Sequence, residues 1–425
     1  MKNLEKSFFN FGIKKFLIIL GLALGIRLVL MPTTLHADLL GHAFSSYFLA
    51  YEGKWNLYDT LAGLPKDHPL VKNFGVSDVF IYPPLAYYTL GLFRQITKPF
   101  AAANFVPWVW ENLSDLRKFP GFQKEIFLFK FPYLFVDILL AFLLAGCFKE
   151  QRQKRQAFLF WLFNPLTLYA TFMIGQIDIL ATFFTVLALF LFTKKKYSWA
   201  AFSIGIGASY KMYPLFLLFP LVFLAKEKFW GRMKLIIVGV APFVFFIAPY
   251  LGSSAFRAMV LFSPKSQKML FMGWPVSGAE VVYPFIIFLT IIYFFSFYTK
   301  KKIPLAAYFL AILLLIFSVT HYHPQWFLWL TPFLIWELVE NNFRHLLLIL
   351  TFVASWLIIT LFFEPSLSYG LFNPLFPELD RAKGLTEILS PYTNVFQLKS
   401  LVRSVFAGAS VFLVFRLFTK SGDED

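Results

Sequence analysis

The amino-acid sequence predicts an all-α fold, a polytopic bundle of transmembrane helices. Of its 425 residues, 59% are hydrophobic and only 15% are charged, whereas a typical soluble domain carries about 25% charged residues. The mean hydropathy is +0.67, and the apolar residues form runs of about 20, the length that a helix needs to cross a bilayer. This composition excludes an ordinary soluble globular domain. It also excludes a disordered chain, which requires low hydrophobicity and high charge.

The apolar runs place the helices along the chain. The first run follows a lysine-rich start, as in a signal peptide, but it is too long and lacks a cleavage site, so it predicts an uncleaved first helix. The apolar segment 198–225 is interrupted by Lys211 and Pro214, which predicts a broken helical hairpin. Together the runs predict about 12 crossings in a single membrane domain, residues 1–425. The continuous runs are 13–32, 126–148, 156–173, 177–193, 234–251, 281–299, 303–320, 324–340, 344–363 and 399–419.

The net charge of +16, from 39 Lys and Arg against 23 Asp and Glu, suits nucleic acid, anionic lipid or membrane topology. The positions of the basic residues decide between these, because they fall in short loops between apolar runs and form no basic soluble domain. By the positive-inside rule these loops and both termini are cytoplasmic, and we expect no nucleic-acid partner. The loops are the N-terminal lysines, Lys149–Arg155, Lys194–Lys196, Lys226–Lys234 and Lys300–Lys302.

This orientation places three longer segments on the non-cytoplasmic side: 33–125, 252–280 and 364–398. The apolar stretch Tyr82–Phe93 in the first of them is too short to span the bilayer, which predicts an interfacial helix on the outer leaflet. We therefore expect an integral protein of the plasma membrane, or of the endoplasmic reticulum in a eukaryote.

Ionisable residues inside apolar runs are costly and often mark functional sites. Four stand out, namely Arg27, Asp137, Asp178 and Lys211. Either they pair with one another and join helices, which suits Asp137 best, or they line a cavity, which suits Lys211 in its helix break. A cation in such a cavity is suited to an anionic lipid head group. Lys130, near the outer end of its run, is expected to snorkel towards the interface.

Asp38 follows the first helix directly, at the start of the outer segment 33–125. A carboxylate fixed at a helix end beside a lipid-facing cavity is suited to act as a general base, and the alternative is an ordinary exposed loop aspartate. His36, Asp38 and His42 are all metal-ligand types, so a divalent cation such as Mg or Mn is a further alternative, although no familiar metal-binding spacing supports it. The single cysteine, Cys147, excludes a disulfide or a cysteine zinc site within one chain.

His321 and His323 open the outer side of the run 324–340. Two interpretations of this pair remain open. Either one of them contacts a substrate, or both are interfacial histidines beside Tyr322 and Trp326, since aromatic and amphipathic side chains gather at the membrane surface.

Several short motifs, in their order along the chain, resemble those of the GT-C superfamily of integral membrane glycosyltransferases. The resemblance covers most of residues 15–340 and is nearest to polyprenyl-phosphate-sugar mannosyltransferases, lipid A aminoarabinose transferases and protein O-mannosyltransferases. The motifs are Asp38 after the first helix, the segment Gly53 to Tyr58, Tyr82-Pro-Pro-Leu, Lys130 with Pro132 and Asp137, Asn164-Pro165, Gly175-Gln176-Ile-Asp178, Lys211 with Pro214, and His323 to Pro332.

The resemblance implies transfer of a sugar from a polyprenyl-phosphate donor to an acceptor hydroxyl, with inversion, at an active site on the non-cytoplasmic side. The acceptor would be a glycan, a lipid or a protein. Without a large soluble domain after residue 364, transfer of a single sugar (mannose or another hexose or pentose) is expected rather than of an oligosaccharide.

The resemblance also implies roles for particular residues. Asp38 would deprotonate the acceptor hydroxyl, and Lys211 together with Arg27 would bind the leaving lipid phosphate. His321 or His323 would contact the donor or the acceptor. The remaining polar residues would shape the cavity: Asp137, Asp178, Gln176 and Tyr82.

Two alternatives belong to other functional classes. A secondary transporter or a flippase for lipid-linked saccharides also uses broken helices and charges at membrane depth, but usually within internal repeats, which this sequence lacks. A non-catalytic membrane scaffold would leave the four buried ionisable residues scattered. A cavity roofed by 33–125 favours transfer, whereas a midplane cavity open alternately to both sides favours transport.

Overall fold

The computed structural model describes residues 12–76 and 79–419 as an α-helical assembly. In the part of the chain that it describes, the structure is 73% helical with almost no strands, which confirms the predicted all-α class. One small hairpin, which the sequence analysis did not predict, pairs strand β1 (Trp274–Pro275) with β2 (Val281–Val282) in antiparallel fashion. Lys2 and Lys6 of the predicted basic N-terminus lie outside the described residues, as does the segment 420–425, so the cytoplasmic placement of both termini stays a prediction.

The helices follow one another with short connections. The α-helices are α1 Ile13–Thr33, α2 Ala37–Ala50, α3 Leu57–Ala62, α4 Pro69–Phe74, α5 Pro84–Thr97, α6 Phe105–Glu111, α7 Phe122–Lys130, α8 Tyr133–Gly146, α9 Gln151–Leu162, α10 Pro165–Thr167, α11 Asp178–Thr193, α12 Tyr197–Ala208, α13 Leu215–Leu224, α14 Phe229–Ile247, α15 Ser254–Phe256, α16 Pro284–Tyr298, α17 Leu305–Val319, α18 Thr331–Glu340, α19 Leu346–Leu361, α20 Leu385–Leu389 and α21 Val395–Thr419. Further turns are π-helical at Leu168–Ile174 and Arg257–Leu261, and 3-10 at Lys98–Phe100, Leu113–Lys118, Ala248–Tyr250, Lys268–Leu270, Pro324–Trp329, Pro365–Leu367, Tyr369–Phe372 and Pro377–Arg381.

Apolar helices of two lengths make up the membrane part of the described chain. Five helical segments are long and apolar enough to cross a membrane: Ile13–Thr33, Phe122–Gly146, Gln151–Ile174, Phe229–Tyr250 and Val395–Thr419. The shorter apolar helices, of 10 to 17 residues, are Asp178–Thr193, Leu215–Leu224, Pro284–Tyr298, Leu305–Val319 and Leu346–Leu361. These helices support an integral membrane protein, while the total of about 12 crossings stays a prediction.

The segment 33–125 folds into short helices that pack on one another. Helices α2 and α5 cross closely at Gly91, where a Cβ atom would collide with the side chain of Leu49. Arg94 at the end of α5 donates to the Glu125 carboxylate of α7 at 3.0 Å, and both side chains are buried. Because a buried ion pair needs further hydrogen bonds to offset desolvation, it is significant that Glu125 also accepts from the backbone of Ala102 at 2.7 Å. These contacts hold the short helices of the segment against α7, the start of the apolar helical segment Phe122–Gly146.

The backbone is irregular between α12 and α13. Helix α12 ends at Ala208 and α13 begins at Leu215, so Lys211 and Pro214 lie in non-helical chain. Pro214 cannot donate a backbone hydrogen bond to continue α12. Irregular backbone at membrane depth is tolerated where protein surrounds it, and here it brings a lysine side chain among buried polar groups.

Lys130 does not snorkel as the sequence predicted, because its ammonium group has better partners inside the protein. Its side chain is fully buried, and Nζ donates to the carbonyl oxygens of Met31 (3.2 Å), Thr34 (2.6 Å) and Met173 (2.9 Å). These carbonyls belong to the ends of α1 and of the π-helical turn, where helix carbonyls lack partners within the helix and attract a cation. Lys130 therefore fixes the end of α1 and Thr34, which lies four residues before Asp38.

Arg27 and Asp137 form a buried ion pair between α1 and α8. Arg27 Nε donates to Asp137 Oδ2 at 2.7 Å, and neither side chain is exposed. Trp161 Nε1 donates to Asp137 Oδ1 at 2.9 Å, Arg27 also donates to the carbonyl of Ala23, and its guanidinium lies 5.2 Å from the ring centroid of Phe172. The pair thus joins three helical segments, as expected if Asp137 pairs with another buried residue to hold helices together.

This pair makes a testable contribution to stability. Asp137→Leu should lower the thermal unfolding temperature strongly, because Arg27 stays buried without its partner, and breaking such a pair costs about 3–5 kcal/mol. The double variant Arg27→Met/Asp137→Leu should recover most of the loss, since replacing both charges by apolar groups is often close to neutral. Circular dichroism of the protein in detergent measures both. A double variant as unstable as Asp137→Leu would contradict the pairing account.

Candidate active site

One cavity of about 350 Å³ is lined by five polar residues that the sequence singled out, His36, Asp38, His42, Tyr82 and His323. Its walls come from the start of α2, the chain before α5, the turn before β1, the start of the 3-10 helix Pro324–Trp329 and the chain after α19. Every wall therefore belongs to a predicted outer segment or to the outer end of a predicted span. The lining residues are His36, Ala37, Asp38, Gly41, His42, Phe44, Phe74, Val79, Ile81, Tyr82, Lys265, Lys268, His323, Gln325, Trp326, Glu364, Ser366 and Leu367.

Asp38 lies in the first turn of α2, where its carboxylate is positioned by two side-chain amides. The N-cap residue His36 accepts the backbone N–H of Asp38 on Nδ1 at 3.1 Å, which starts the helix. Oδ2 of Asp38 accepts from Nε2 of Gln176 and from Nε2 of Gln325, the latter at 3.0 Å. Two donors from distant parts of the chain thus occupy one oxygen of this carboxylate.

The other oxygen of Asp38 is available to a bound molecule. His36 Nδ1 lies 3.6 Å from Oδ1, but this nitrogen already accepts the Asp38 N–H and so has no proton to donate. Among the described residues Oδ1 has no hydrogen bond, and the side chain is 36% exposed at the cavity. A hydroxyl entering the cavity would find an acceptor there.

Gln176 reaches Asp38 because of the turn that precedes it. The π-helical turn ends at Gly175, whose φ of +84° is left-handed and whose Cβ, if present, would lie 2.7 Å from Cδ1 of Leu39. Glycine alone adopts this conformation at little cost. Oε1 of Gln176 accepts the Tyr82 hydroxyl at 3.4 Å, so the amide is oriented with its N–H towards Asp38.

Lys211 pairs with Asp178 directly behind the cavity wall. Nζ donates to Oδ1 of Asp178 at 2.7 Å, and Nε1 of Trp329 donates to the same oxygen. The Lys211 ammonium also lies 5.2, 5.1 and 4.9 Å from the ring centroids of Tyr82, Trp326 and Trp329, respectively. Aromatic faces stabilise a cation without neutralising it, so this group combines one ion pair with three ring contacts.

Tyr82 and Trp326 connect the two halves of the site. Both line the cavity that holds Asp38, and both rings border the ammonium of Lys211. Lys211 itself is not among the lining residues, although its side chain is 14% exposed. The carboxylate and the cation therefore belong to one network, joined through Gln176 and the two rings.

The two histidines have different positions. His323 lines the cavity, and burial, reinforced by Lys268, lowers its pKa to about 4. His321 lies outside it, with Nδ1 3.5 Å from a guanidinium nitrogen of Arg403, and partial burial with this charge lowers its pKa to about 4. Both imidazoles are therefore neutral at pH 7, and His323 is the one placed to contact a bound molecule.

Arg27 and Asp137 are not among the residues that line the cavity. Their buried pair lies between α1 and α8, separate from the Asp178–Lys211 pair. His36, Asp38 and His42 line the same cavity, yet in the described part of the chain no group of three or more histidine, cysteine or carboxylate side chains is arranged to hold a metal ion. His42 is instead buried against the Tyr82 ring, and burial lowers its pKa.

The structure adds residues that sequence reasoning missed. Gln325 and Trp326 lie within the late motif but were not singled out, and Lys265 and Lys268 come from the predicted outer segment 252–280. One signal could have found the lysines. Outer loops are depleted of Lys and Arg by the positive-inside rule, so basic residues that persist there are candidates for a function.

The chemistry of the site follows from these groups. A carboxylate with one oxygen fixed and the other open can accept a proton from a hydroxyl. Cations beside it can stabilise an anionic group that leaves during the reaction. The cavity can therefore hold a substrate next to this carboxylate.

Comparison with known proteins identifies the family that these features resemble. No curated protein and no solved structure matches the chain. Residues 131–318 match the sequence model of glycosyltransferase family 87, a family of GT-C-type integral membrane glycosyltransferases. The match spans the Asp137, Asp178 and Lys211 motifs. The predicted resemblance is thereby confirmed, and the match to glycosyltransferase family 87 indicates that the chain is a membrane glycosyltransferase.

Proposed function

We propose that this protein transfers a single sugar, mannose or another hexose or pentose, from a polyprenyl-phosphate donor to an acceptor hydroxyl. The acceptor is a glycan, a lipid or a protein, and the reaction takes place on the non-cytoplasmic face of the membrane. The observation that carries the proposal is the Asp38 carboxylate, held on one oxygen and open on the other, in a cavity that shares Tyr82 and Trp326 with the Lys211 ammonium.

The reaction is a single displacement. Oδ1 of Asp38 takes the proton of the acceptor hydroxyl as its oxygen attacks the anomeric carbon. The bond between that carbon and the phosphate oxygen breaks, and its electron pair stays with the lipid phosphate. Because the nucleophile enters opposite the leaving group, the anomeric centre is inverted. Positioning both substrates in one cavity supplies much of the rate enhancement.

The other residues prepare this step. Gln176 and Gln325 hold Asp38 Oδ2, so that Oδ1 faces the acceptor. Lys211, with its charge partly balanced by Asp178, provides a positive field for the lipid phosphate. Oε1 of Gln325 is buried and has no hydrogen-bond partner among the described residues, so a substrate hydroxyl would satisfy it. Arg27, already paired with Asp137, takes a structural role in this proposal.

The alternative functions fit the geometry less well. A transporter needs a central site that opens in turn to each side, whereas this cavity is lined by residues of the predicted outer segments and outer helix ends. A scaffold would scatter its buried ionisable groups, whereas Asp178 and Lys211 form a pair that borders the same rings as the cavity.

Asp38→Asn tests the general base. The variant should fold normally and lower kcat for sugar transfer by about 10²–10⁴-fold, since an amide cannot accept the proton. Membranes incubated with candidate polyprenyl-phosphate sugars and analysed by mass spectrometry report the product. Asp67→Asn, an exposed carboxylate in the same outer segment, is the matched control and should keep wild-type activity. Full activity of Asp38→Asn would rule out this base.

The side-chain amides of Gln176 and Gln325, which hold Asp38, lead to a second prediction. Gln176→Leu should lower kcat by about 10–100-fold with a smaller effect on KM, because a hydrogen bond to a charged group contributes about 1.5–3 kcal/mol. Gln325→Leu should lower kcat to a similar extent and also raise KM, because its Oε1 is proposed to bind a substrate hydroxyl. Steady-state transfer kinetics separate the two parameters. Gln123→Leu, an exposed residue of α7, serves as control. An increase in KM with unchanged kcat would mean that the amides bind substrate instead of orienting Asp38.

A further inference from the structure

Lys268 lines the same cavity as Asp38, although the sequence analysis did not single it out. It begins the 3-10 turn Lys268–Leu270 in the outer segment 252–280, and its side chain lines the cavity together with Asp38 and Trp326. Its ammonium lies 5.2 Å from the Trp326 ring centroid, and Lys211 Nζ lies 5.1 Å from the same centroid. Two cations therefore border one aromatic ring of the cavity wall.

The two lysines differ in how their charges are balanced. Lys211 has a carboxylate partner, Asp178, at 2.7 Å. In the described part of the chain Lys268 makes no ion pair within 4.0 Å, although Asp38 and Glu364 line the same cavity. Burial, together with the positive charges of Lys265, Lys211 and Arg403, lowers its pKa. A bound anion would relieve this repulsion, which makes the site around Lys268 receptive to negative charge.

The chemistry of the proposed reaction creates such a charge. A sugar linked to a polyprenyl phosphate is a phosphodiester with one negative charge. The polyprenyl phosphate that leaves is a monoester, which carries about −1.5 to −2 at pH 7. The additional charge develops as the bond to the anomeric carbon breaks. An unbalanced cation stabilises this developing charge more than it stabilises the donor, and such interactions raise kcat.

We propose that Lys268 binds the phosphate of the polyprenyl donor and stabilises the charge that develops on it when the sugar leaves. This assignment rests on the proposed function. In the step, the acceptor oxygen bonds to the anomeric carbon, its proton passes to Asp38, and the bond to the phosphate oxygen breaks with its electron pair left on the phosphate. Lys211, whose charge is partly balanced by Asp178, borders the Trp326 ring and contributes a weaker positive field.

The test compares binding of farnesyl phosphate and farnesol to the full-length protein in detergent micelles. The two probes share the prenyl chain and differ only in the phosphate. The wild type should prefer farnesyl phosphate, and Lys268→Met should reduce this preference by about tenfold or more, the loss expected for a hydrogen bond to a charged group. Methionine keeps an apolar stem against Trp326, and monodisperse elution on gel filtration verifies folding. Lys268→Arg should retain the preference.

Lys383→Ala is the matched control, because this exposed lysine is not among the cavity residues, and it should bind like the wild type. In transfer assays Lys268→Met should lower kcat more than it raises KM. If Lys268→Met prefers farnesyl phosphate as strongly as the wild type does, the assignment of Lys268 is wrong, while the proposed donor class is unaffected. A wild-type protein with no preference for farnesyl phosphate would contradict the proposed donor class, and with it this role of Lys268.

Discussion

The carboxylate of Asp38 is held by amides from two other parts of the chain, and the rest of the site depends on that interaction. Gln176 and Gln325 come from segments far from Asp38 in sequence, so both must be in place before Oδ2 is satisfied. The left-handed turn at Gly175 positions Gln176, and the Lys130 ammonium holds the chain at the end of α1, shortly before Asp38. A catalytic carboxylate needs such support, because a small displacement of a reacting group costs much of its rate enhancement.

The cost of removing a charge from water explains why Arg27 and Lys211 each have a carboxylate partner, whereas Lys130 is held by carbonyl oxygens. An unpaired charge away from water is expensive, whereas a paired and hydrogen-bonded one is tolerated. Arg27 with Asp137 meets this requirement inside the helical bundle, and Lys211 with Asp178 meets it beside the cavity. The first pair joins helices. The second lies where aromatic rings and the cavity meet, so its cation can influence a bound anion. Chemically similar pairs thus take different roles because of their surroundings.

The sequence predicted the helical class and approximate helix positions well, because hydropathy and the length of a bilayer-spanning helix determine both. It singled out Asp38, Asp178 and Lys211, since polar residues in or beside apolar runs are conspicuous, and it singled out Gln176 only through the resemblance to the GT-C motifs. It did not single out Lys268, although a lysine in a predicted outer segment departs from the positive-inside rule, because only the fold brings this residue into the same cavity as Asp38. The expected snorkelling of Lys130 was wrong for the same reason, since its carbonyl partners come from distant helices.

The central claim is that donor phosphate and acceptor hydroxyl meet in the cavity between Asp38 and the Trp326 wall. Electron cryomicroscopy of the protein with a non-transferable phosphonate analogue of a polyprenyl-phosphate sugar tests it most directly. The account predicts density for the phosphonate beside Lys268 and for the sugar between it and Oδ1 of Asp38. Density for the phosphonate at the opposite ends of the helices, or outside this cavity, would contradict the account.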